Sequence, residues 1–510
     1  MTASLDAARR ARELDALAGG TIDVLVVGGG ITGAGVALDA VARGLSVALV
    51  ERGDLAQGTS RWSSKLVHGG LRYLASGDVG LAYESAVERG ILLGRTAPHL
   101  VRPLANVLPL VPSMSTVDTL TTRAGLAAGD VLRRAAGTPR RLLARSRRLG
   151  PAGTVRLAPA VRTAGLRGGL VWWDGQLTDD AALVVAVART AAAHGARILT
   201  RVEARSVTGD GAELTDRRTG ATLTVRARAV VNATGVWAGD LDPEIVLRPS
   251  RGTHLVVPAD RLGGLPAALT VPYPGESGRY VFALPAAGGR AYVGLTDEEA
   301  AFPGEADPLP GPSDVDALLA ALGGVLDVPL TTGDVLGTFT GLRPLLAGAG
   351  SSGGAGRSAD LSRRHAVRLG AAGVITVVGG KLTTYRRMAQ DAVDVVVAAR
   401  GLDAGPCRTT DLPLVGAAPH ALLAGVPAPR RLVHRYGTEA IRVLAEAPAD
   451  LRGPIAAAGV TGAEVLFAVR HEGALDADDV LHRRTRIGLV AAEAAECRAA
   501  VAEIVTLGLG

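Results

Sequence analysis

The chain has 510 residues, 48% of them apolar and 3% aromatic, so it is long enough for two or three domains with cores of Val, Leu, Ala and Ile. Its two cysteines give neither a disulfide framework nor a metal-binding pattern, and no apolar run approaches the ~20 residues of a membrane-spanning helix. The net charge of +6 is local: segment 121–150 has eight Arg and one Asp, or +7, which leaves −1 for the rest and argues against a general nucleic-acid surface.

The first half of the chain alternates apolar strands with helical patterns, which is typical of a parallel α/β sheet. The predicted elements, in chain order, are strand 22–27, helix 33–43, strand 47–50, helix 83–94, a basic helical segment 121–150 broken near 137–139, helix 181–194, and strands 197–202 and 225–231.

The second half begins with strands and ends with helices. Its predicted elements are strands 254–257, 279–284 and 290–295, a Gly-, Ala- and Ser-rich loop 346–360, strand 374–378, helix 383–400, and helices 430–446, 461–472, 476–484 and 488–506. The wholly helical pattern from about 411 onward predicts a separate C-terminal helical domain.

A glycine motif, Gly28-Gly-Gly-Ile-Thr-Gly33, follows the first strand and begins the first helix. Gly28 permits a tight turn, Gly30 lets a pyrophosphate approach the backbone, and Gly33 lets helix and strand pack closely. The helix N-terminus offers free N–H groups to that pyrophosphate. Glu51 ends the second strand, where it can accept hydrogen bonds from a ribose hydroxyl, and together these features predict a dinucleotide site.

Lysine is nearly absent from the chain. Only Lys65 and Lys381 stand among the 55 basic residues, so each is expected where a compact point charge is needed that a guanidinium cannot replace. Lys381 lies in Gly379-Gly-Lys-Leu-Thr-Thr384, between a strand and a helix. A second helix N-terminus aimed at one ligand favours FAD over NAD, because the flavin edge gains negative charge on reduction. Residues 232–235 end a third strand and fit a further cofactor contact.

Several segments then resemble one family, the FAD-dependent glycerol-3-phosphate dehydrogenases of the aerobic type. These segments are the glycine motif with Glu51, Ser64-Lys-Leu-Val-His-Gly-Gly-Leu-Arg-Tyr-Leu74, Ala233-Thr-Gly235, Gly341-Leu-Arg-Pro344, Gly379-Gly-Lys-Leu-Thr-Thr-Tyr-Arg386 and Asp479-Val-Leu-His-Arg-Arg-Thr-Arg-Ile-Gly488. Their order and spacing match from about 20 to 400, and the tail is similar to the family's helical domain. Two features depart from the pattern: Arg61-Trp62 stand where small residues are expected, and residues 348–357 lengthen a loop.

The resemblance implies an α/β fold with a Rossmann-like FAD-binding domain, an interleaved β-rich substrate domain and an all-helical C-terminal domain. The implied ranges are 1–75, 155–245 and 335–405 for FAD, 76–154 and 246–334 for substrate, and 406–510 for the helical domain. The cofactor-binding residues are expected to be Gly28, Gly30, Gly33, Glu51, Thr59, Ser60, Ser64, Lys65, Leu66, Gly235, Gly380, Lys381, Leu382 and Thr383.

The implied reaction oxidises sn-glycerol 3-phosphate to dihydroxyacetone phosphate by hydride transfer to FAD. A near-dianionic phosphate needs converging cations, and the predicted substrate-binding residues are Arg72, Tyr73, Arg363 and Lys381. The C2 hydroxyl must lose its proton to a base with a pKa near neutrality, for which His68 is the first candidate and His254 the second. Arg343 is expected to orient the hydroxyl and stabilise the developing alkoxide.

The expected partners are the phosphate substrate, a quinone acceptor, an anionic membrane surface that contacts 121–150, and a second copy of the chain; no nucleic acid is expected. At the membrane, the arginines of 121–150 are expected to bind anionic lipid and the leucines between them to insert shallowly. We expect a cytoplasmic protein, peripheral on the inner face of the cell membrane, since the first residues lack the apolar stretch of a secretion signal. Three alternatives stay open: an oxidase that uses O2, an amine- or amino-acid-oxidising flavoprotein, and an RNA-modifying flavoprotein.

Overall fold

The computed structural model describes residues 2–75, 77–276, 279–302, 304, 306–347 and 364–510, without the side chains of Arg72 and Ala75. The Gly- and Ser-rich stretch 348–357 and Arg363 lie outside the described residues. The described strands are β1 (Thr21–Val27), β2 (Val47–Glu51), β3 (Leu66–Val67), β4 (Val101–Pro109), β5 (Arg147–Leu149), β6 (Gly169–Leu177), β7 (Arg197–Thr200), β8 (Val202–Thr208), β9 (Gly211–Asp216), β10 (Thr222–Asn232), β11 (Leu247–Pro258), β12 (Ala268–Pro272), β13 (Tyr280–Ala286), β14 (Arg290–Gly294), β15 (Glu298–Glu299), β16 (Gly337–Leu346), β17 (His365–Leu369) and β18 (Ile375–Gly379).

The described α-helices flank the strands and then form the C-terminal part of the chain. They are α1 (Ala7–Leu17), α2 (Ile31–Ala42), α3 (Leu71–Ala75), α4 (Val79–Ile91), α5 (Thr116–Ala135), α6 (Pro151–Leu157), α7 (Asp180–Ala193), α8 (Ala238–Leu241), α9 (Asp314–Gly323), α10 (Tyr385–Arg400), α11 (His420–Ala424), α12 (Arg430–Tyr436), α13 (Ala440–Ala445), α14 (Gly462–His471), α15 (Ala477–Asp479) and α16 (Ala491–Leu509).

The first sheet has the strand order β17-β18-β10-β1-β2-β7, with the β8–β9 hairpin attached to β10. The apolar sequence of β1 is buried because α2, α7 and α10 cover one face of the sheet. Strands β1, β2, β10 and β18 run parallel, so their carboxyl ends meet at one edge. That edge carries the glycine motif after β1, Glu51 at the end of β2, residues 233–235 after β10 and Gly380 after β18. The Rossmann-like arrangement is confirmed, and its ligand edge is where such folds bind cofactors.

The second sheet is largely antiparallel, with the order β15-β11-β14-β13-β12-β4-β6-β3, β16 on β11 and β5 on β6. Helices α5 and α9 pack on it through Leu126, Leu318 and Leu322. Strands β6 and β16 belong to this sheet, although the sequence analysis assigned 155–245 and 335–405 to the FAD-binding domain. Strand β6 pairs with β4, and strand β16 pairs with β11. These backbone hydrogen bonds place β6 and β16 in the second sheet. The exact domain boundaries stay a prediction.

The C-terminal part from α11 to α16 forms its own apolar core, which includes Leu432, Phe467, Leu481 and Val501. The all-helical C-terminal domain is therefore confirmed. Among the described residues, no helix is both long enough and apolar enough to cross a membrane.

The basic segment 121–150 is helical only before the break predicted near 137–139, which corrects the expectation of helix on both sides of that break. Helix α5 ends at Ala135, and Gly137 follows with a positive φ of 74°. Residues Arg147–Leu149 then form strand β5 against β6, since the sheet offers that chain an edge to pair with. Seven of the eight Arg are exposed, and Arg133 is buried with its guanidinium donating to the Thr138 carbonyl at 2.6 Å.

Candidate cofactor and substrate cavity

One cavity of about 1860 Å³ lies between the two sheets at the carboxyl edge of the first. This volume exceeds the roughly 300–1,000 Å³ of ordinary ligand pockets, so it can hold a large cofactor together with a substrate. Most of the predicted site residues line it, namely Gly28, Gly30, Glu51, Thr59, Ser60, Ser64, Leu66, His68, Tyr73, Gly235, His254, Arg343, Gly380, Lys381, Leu382 and Thr383. Gly33 and Lys65 do not line it, the side chain of Arg72 is not described, and Arg363 lies outside the described residues.

The three motif glycines have different surroundings. A Cβ on Gly28 would lie 2.6 Å from the Ala233 carbonyl oxygen, and one on Gly33 would lie 1.9 Å from the Gly28 carbonyl oxygen. Both glycines therefore allow close packing of backbone against backbone. A Cβ on Gly30 would meet only the Ser60 hydroxyl, at 3.1 Å, and Gly30 faces the cavity. Gly30 thus keeps the cavity open at the start of α2, where a pyrophosphate is expected.

Glu51 closes the far side of this turn. Its carboxylate accepts hydrogen bonds from the Gly29 N–H at 2.6 Å and the Gly53 N–H at 2.7 Å. Burial raises the pKa of Glu51, and the two backbone donors oppose that rise. The carboxylate is therefore held at the end of β2 and exposed to the cavity, as a ribose-binding acid requires.

The segment between β2 and β3 crosses the cavity and holds most of the other predicted contacts. The Ser60 hydroxyl accepts from the Ile31 N–H at 2.9 Å, and the Thr59 hydroxyl donates to the Leu342 carbonyl at 2.7 Å. These bonds join the segment to the first turn of α2 on one side and to β16 on the other.

Lys65, the last residue of this segment, has its side chain buried outside the cavity, whereas the sequence analysis expected Lys65 among the cofactor-binding residues. Its φ of 55° turns the side chain inward, where the ammonium lies 3.2 Å from the Asp180 carboxylate and 4.1 Å from the Phe339 ring centroid. Burial lowers the pKa of Lys65 to about 8, and the Asp180 carboxylate opposes this.

The second glycine segment lies where strand β18 ends and α10 begins. Gly379 and Gly380 have positive φ angles of 79° and 73°, and a Cβ on Gly380 would lie 2.5 Å from the Met388 sulfur. The turn therefore needs glycine, and it places Leu382 and Thr383 at the cavity ahead of α10. The predicted approach of a second helix N-terminus to the same cavity agrees with this geometry.

Lys381 contacts residues of the predicted substrate region. Its ammonium donates to the Ser85 hydroxyl at 3.0 Å and lies 3.5 Å from the centroid of the Tyr73 ring. The His68 ring centroid is 6.2 Å from that of Tyr73. The cation, a phenol and an imidazole therefore face one region of the cavity.

His254 is buried in strand β11, with its ring stacked on Phe339 at a centroid distance of 4.5 Å. Its Nε2 and the Ser64 hydroxyl share a hydrogen bond of 2.8 Å, and its Nδ1 has no hydrogen-bond partner in the described part of the chain. Burial lowers the pKa of His254 well below its usual value, and the charges of Lys65 and Arg343 lower it further. The imidazole is therefore neutral, and the same shift makes it a weaker proton acceptor than an ordinary histidine.

Arg343 faces the cavity from β16 and forms an ion pair with Asp297 at 3.1 Å. The same nitrogen donates to the Ser250 hydroxyl at 2.9 Å. A Cβ on Gly252 would lie 2.5 Å from the guanidinium, so this glycine makes room for it. The Asp297 carboxylate fixes the orientation of Arg343 and offsets part of its charge.

The residues at the cavity that the sequence analysis did not name include Asp174, Asp297 and the stretch 202–205. Asp174 accepts from the Gly69 N–H at 2.9 Å and from Arg89 at 2.6 Å, and so holds the glycine pair after His68. Asp297 orients Arg343, and residues 202–205 line the cavity near Glu51. Only the predicted strand at 197–202, which ends at this edge, could have indicated the last group; nothing in the sequence marked the two aspartates.

These features fit FAD. The cavity reaches from the glycine turn and Glu51 at one end to the segment 379–383 at the other, and both ends present a helix start. Helix α2 has no side-chain cap at Gly30, so its first turn can accept an anion.

Comparisons with known proteins agree with this cavity. Residues 23–386 match the family described as FAD dependent oxidoreductase, and residues 407–510 match the C-terminal domain of alpha-glycerophosphate oxidase. Glycerol-3-phosphate dehydrogenase 1 of Mycobacterium tuberculosis is 56% identical over 495 residues, 96% of each chain, and aerobic glycerol-3-phosphate dehydrogenase of Staphylococcus aureus is 36% identical over 77% of this chain and 71% of its own.

A solved structure of glycerol-3-phosphate dehydrogenase from Bacillus halodurans complexed with FAD has a TM-score of 0.74 and 28% identity, and the match covers 98% of this chain and 94% of that one. The cofactor of this fold is FAD. From the cavity, the two matched domains and these relatives, the chain belongs to the family of FAD-dependent glycerol-3-phosphate dehydrogenases.

Proposed function

We propose that this protein oxidises sn-glycerol 3-phosphate to dihydroxyacetone phosphate with FAD and passes the electrons to a quinone. The observation that carries the proposal is that Lys381, Arg343, Tyr73 and two histidines line the same cavity as the FAD motifs. A phosphate dianion needs such cations, whereas an amino acid would need only a carboxylate clamp. The relatives named for this substrate support the same choice.

Each of these side chains has its own proposed role in the reaction. Lys381 and Tyr73 bind the phosphate end, with Arg72 and Arg363 as further predicted contacts. Bound FAD accepts the two electrons of the C2–H bond. A histidine, His68 first and His254 second, takes the proton of the C2 hydroxyl, and Arg343 stabilises the oxygen as negative charge develops on it.

His254 offers one feature for this role. Its Nε2 shares a hydrogen bond with the Ser64 hydroxyl at the cavity, and its buried Nδ1 has no hydrogen-bond partner among the residues that the structure describes. His68 contributes a less buried imidazole beside Tyr73. Single alanine variants of the two separate their roles, as described in the Discussion.

Anaerobic flavin reduction tests the reaction. Purified protein is mixed with glycerol 3-phosphate, glycerol or an amino acid, and the flavin absorbance is followed. We expect bleaching with glycerol 3-phosphate alone, and bleaching by an amino acid alone would contradict the substrate. The reduced protein is then mixed with a soluble quinone or with O2. Faster reoxidation of the flavin by O2 would show that the protein is an oxidase and not a quinone-linked dehydrogenase.

The membrane part of the proposal is supported by the surface around α5. Seven exposed Arg lie in 121–150, and Val117, Leu120 and Val131 are 71%, 59% and 70% exposed. At 100° per residue these three lie within about 60° of one another on the helix. Each Arg near anionic lipid contributes roughly 1 kcal/mol, so a few suffice for salt-reversible binding.

The apolar side of this surface differs from the one we expected. Leu126, Leu132 and Leu143 are buried, so they cannot insert into lipid; the expectation of leucine insertion was wrong, because these residues pack in the interior. Val117, Leu120 and Val131 take their place.

Liposome sedimentation tests the surface with phosphatidylglycerol vesicles. The variant changes Arg140, Arg141, Arg145, Arg147 and Arg148 to Gln, and its charge-matched control changes the exposed Arg12, Arg218, Arg226, Arg408 and Arg430 to Gln. We expect binding at low salt that the first set abolishes and the control retains. Absence of binding by the unaltered protein, or equal loss in both sets, would remove the membrane role.

A further inference from the structure

A cluster of arginines in the C-terminal domain contacts the segment that crosses the cofactor cavity. The segment 52–65 joins β2 to β3, and Gln57, Gly58, Thr59, Ser60, Trp62, Ser63 and Ser64 line the cavity. It is anchored from behind at two points, and both anchors come from the short stretch Arg483-Arg-Thr-Arg486 just after α15.

The first anchor is Asp54, which follows the Glu51 turn and is 1% exposed. Arg483 donates to its carboxylate at 2.7 Å, and Arg484 donates to both of its oxygens at 2.8 Å. Arg484 is fully buried and also donates to the Glu472 carbonyl. The two guanidinium groups lower the pKa of Asp54 to about 2 against the effect of burial, so this carboxylate is ionised and fully engaged.

The second anchor is the turn at residues 61–63. Arg486 donates to the Arg61 carbonyl at 2.5 Å, and its guanidinium lies 5.1 Å from the Trp62 ring centroid. The same guanidinium is 4.0 Å from Asp180, whose carboxylate accepts from the Ser63 N–H at 2.9 Å and the Ser63 hydroxyl at 2.8 Å. Arg486 has a φ of 63°, a left-handed conformation that costs a non-glycine residue free energy and persists where contacts such as these hold it.

We propose that Arg483, Arg484 and Arg486 are positioning residues for FAD, which hold both ends of segment 52–65 in its cofactor-binding conformation and couple FAD binding to the C-terminal domain. The Asp54 pair fixes the turn that presents Glu51, and Arg486 fixes the turn that presents Ser60, Ser63 and Ser64 to the cavity. None of the three arginines lines the cavity, so they act through the segment. The C-terminal domain is then part of the cofactor site, although the FAD motifs lie elsewhere in the chain.

Because a coupling between two sites is reciprocal, two measurements follow. FAD affinity should fall when one of the two anchors is removed. Bound FAD should in turn stabilise the contacts between the arginines and segment 52–65. The proposal rests on the FAD cavity of the proposed function, and FAD affinity is measured without substrate, so a wrong substrate would leave it intact.

The first measurement is the Kd of apoprotein for FAD, by flavin fluorescence at a temperature where the apoprotein is folded. Arg486→Met removes the Arg61 contact and should raise the Kd about tenfold, the scale of one charge-assisted hydrogen bond. Asp54→Asn should raise it at least as much, because it breaks the other anchor. The matched control is Arg189→Met, which breaks a buried interdomain pair, Arg189 with Glu439 at 2.7 Å, away from the segment. It should lower the Tm and leave the Kd unchanged.

The second measurement needs no variant. Hydrogen exchange of the wild-type backbone amides in 480–486 should slow on addition of FAD, which keeps the proposal testable if a variant fails to fold. A Kd within about twofold of wild type for Arg486→Met, an equal rise in Arg189→Met, or exchange in 480–486 that FAD does not slow would each overturn the proposal.

Discussion

The glycine turn allows cofactor binding to be separated from packing by two substitutions three residues apart. Gly30→Val should give a folded, colourless protein, whereas Gly33→Ala should destabilise the fold itself. Gly30 has φ −78° and ψ −177°, which valine adopts readily, and its Cβ would meet only the Ser60 hydroxyl. A Cβ on Gly33 would lie 1.9 Å from a backbone oxygen, which cannot rotate away as a side chain would.

The magnitudes follow from these contacts. Gly30→Val disturbs at most the hydrogen bond from the Ile31 N–H to Ser60, worth about 1 kcal/mol of stability. The valine methyl groups would instead occupy the pyrophosphate position. Losing two charge-assisted hydrogen bonds of roughly 1.5–3 kcal/mol each corresponds to FAD binding about 10²- to 10⁴-fold weaker. For Gly33→Ala, overpacking of α2 on β1 should cost roughly 1–3 kcal/mol or more.

The assay combines flavin absorbance of the purified protein with urea unfolding of the apoproteins. Wild-type apoprotein is the reference for stability, because FAD itself stabilises the folded state. If Gly30→Val purifies with full flavin content, the pyrophosphate does not lie at Gly30. If Gly33→Ala is as stable as wild-type apoprotein, the close contact of α2 with β1 is not what requires glycine there.

Three further predictions concern single side chains. Lys381→Arg keeps the charge but should reduce kcat/KM by about tenfold or more. A planar guanidinium cannot keep both the hydrogen bond to Ser85 and the contact with the Tyr73 ring. Near-normal turnover would show that a point charge is not needed. His68→Ala should slow flavin reduction by about 10²-fold and abolish the acidic limb of the pH profile; if His254→Ala does this instead, their roles are exchanged. Burial lowers the pKa of His99 from 6.5 to about 3. Below pH 6.5 the unfolded chain therefore binds a proton at His99 that the folded chain does not bind, and the free energy of unfolding falls as the pH drops. At pH 5 this costs about 2 kcal/mol, and His99→Gln should lose less stability between pH 7 and pH 5 by that amount in urea unfolding; an equal loss would assign the effect to other groups.

The features that the sequence could predict are those that depend on local order. The apolar run before Gly28, the glycines at their spacing and Glu51 specify a strand, turn, helix and second strand whose parts are neighbours in the chain. The parallel arrangement then places the ends of β1, β2, β10 and β18 at one edge, so the motif residues that follow them could be expected to meet. The rarity of lysine directed attention to Lys381, which lines the cavity, and its binding role stays a prediction.

The same rarity gave a less complete account of Lys65. Its motif is local, but the direction of its side chain depends on Asp180 and Phe339, which are more than 100 residues away in the chain. A lysine can equally serve in a buried ion pair with a distant carboxylate, so scarcity alone could not distinguish a cavity residue from a buried ion pair. Likewise, the leucines of 121–150 alternate with arginines in the sequence, and only packing against the interior decided that Leu126 and Leu132 are buried.

The sequence by itself therefore determined the Rossmann-like unit, the FAD motifs, the helical C-terminal domain and the family, because each is written in residues close together or in a repeated spacing. The tertiary structure decided which sheet receives β6 and β16, which groups orient Arg343 and His254, and which part of the chain holds segment 52–65. These depend on pairs such as Asp54 with Arg484, 430 residues apart. The fold brings a buried carboxylate and its cations together from distant parts of the chain, so the spacing of residues along the sequence does not show which pairs form.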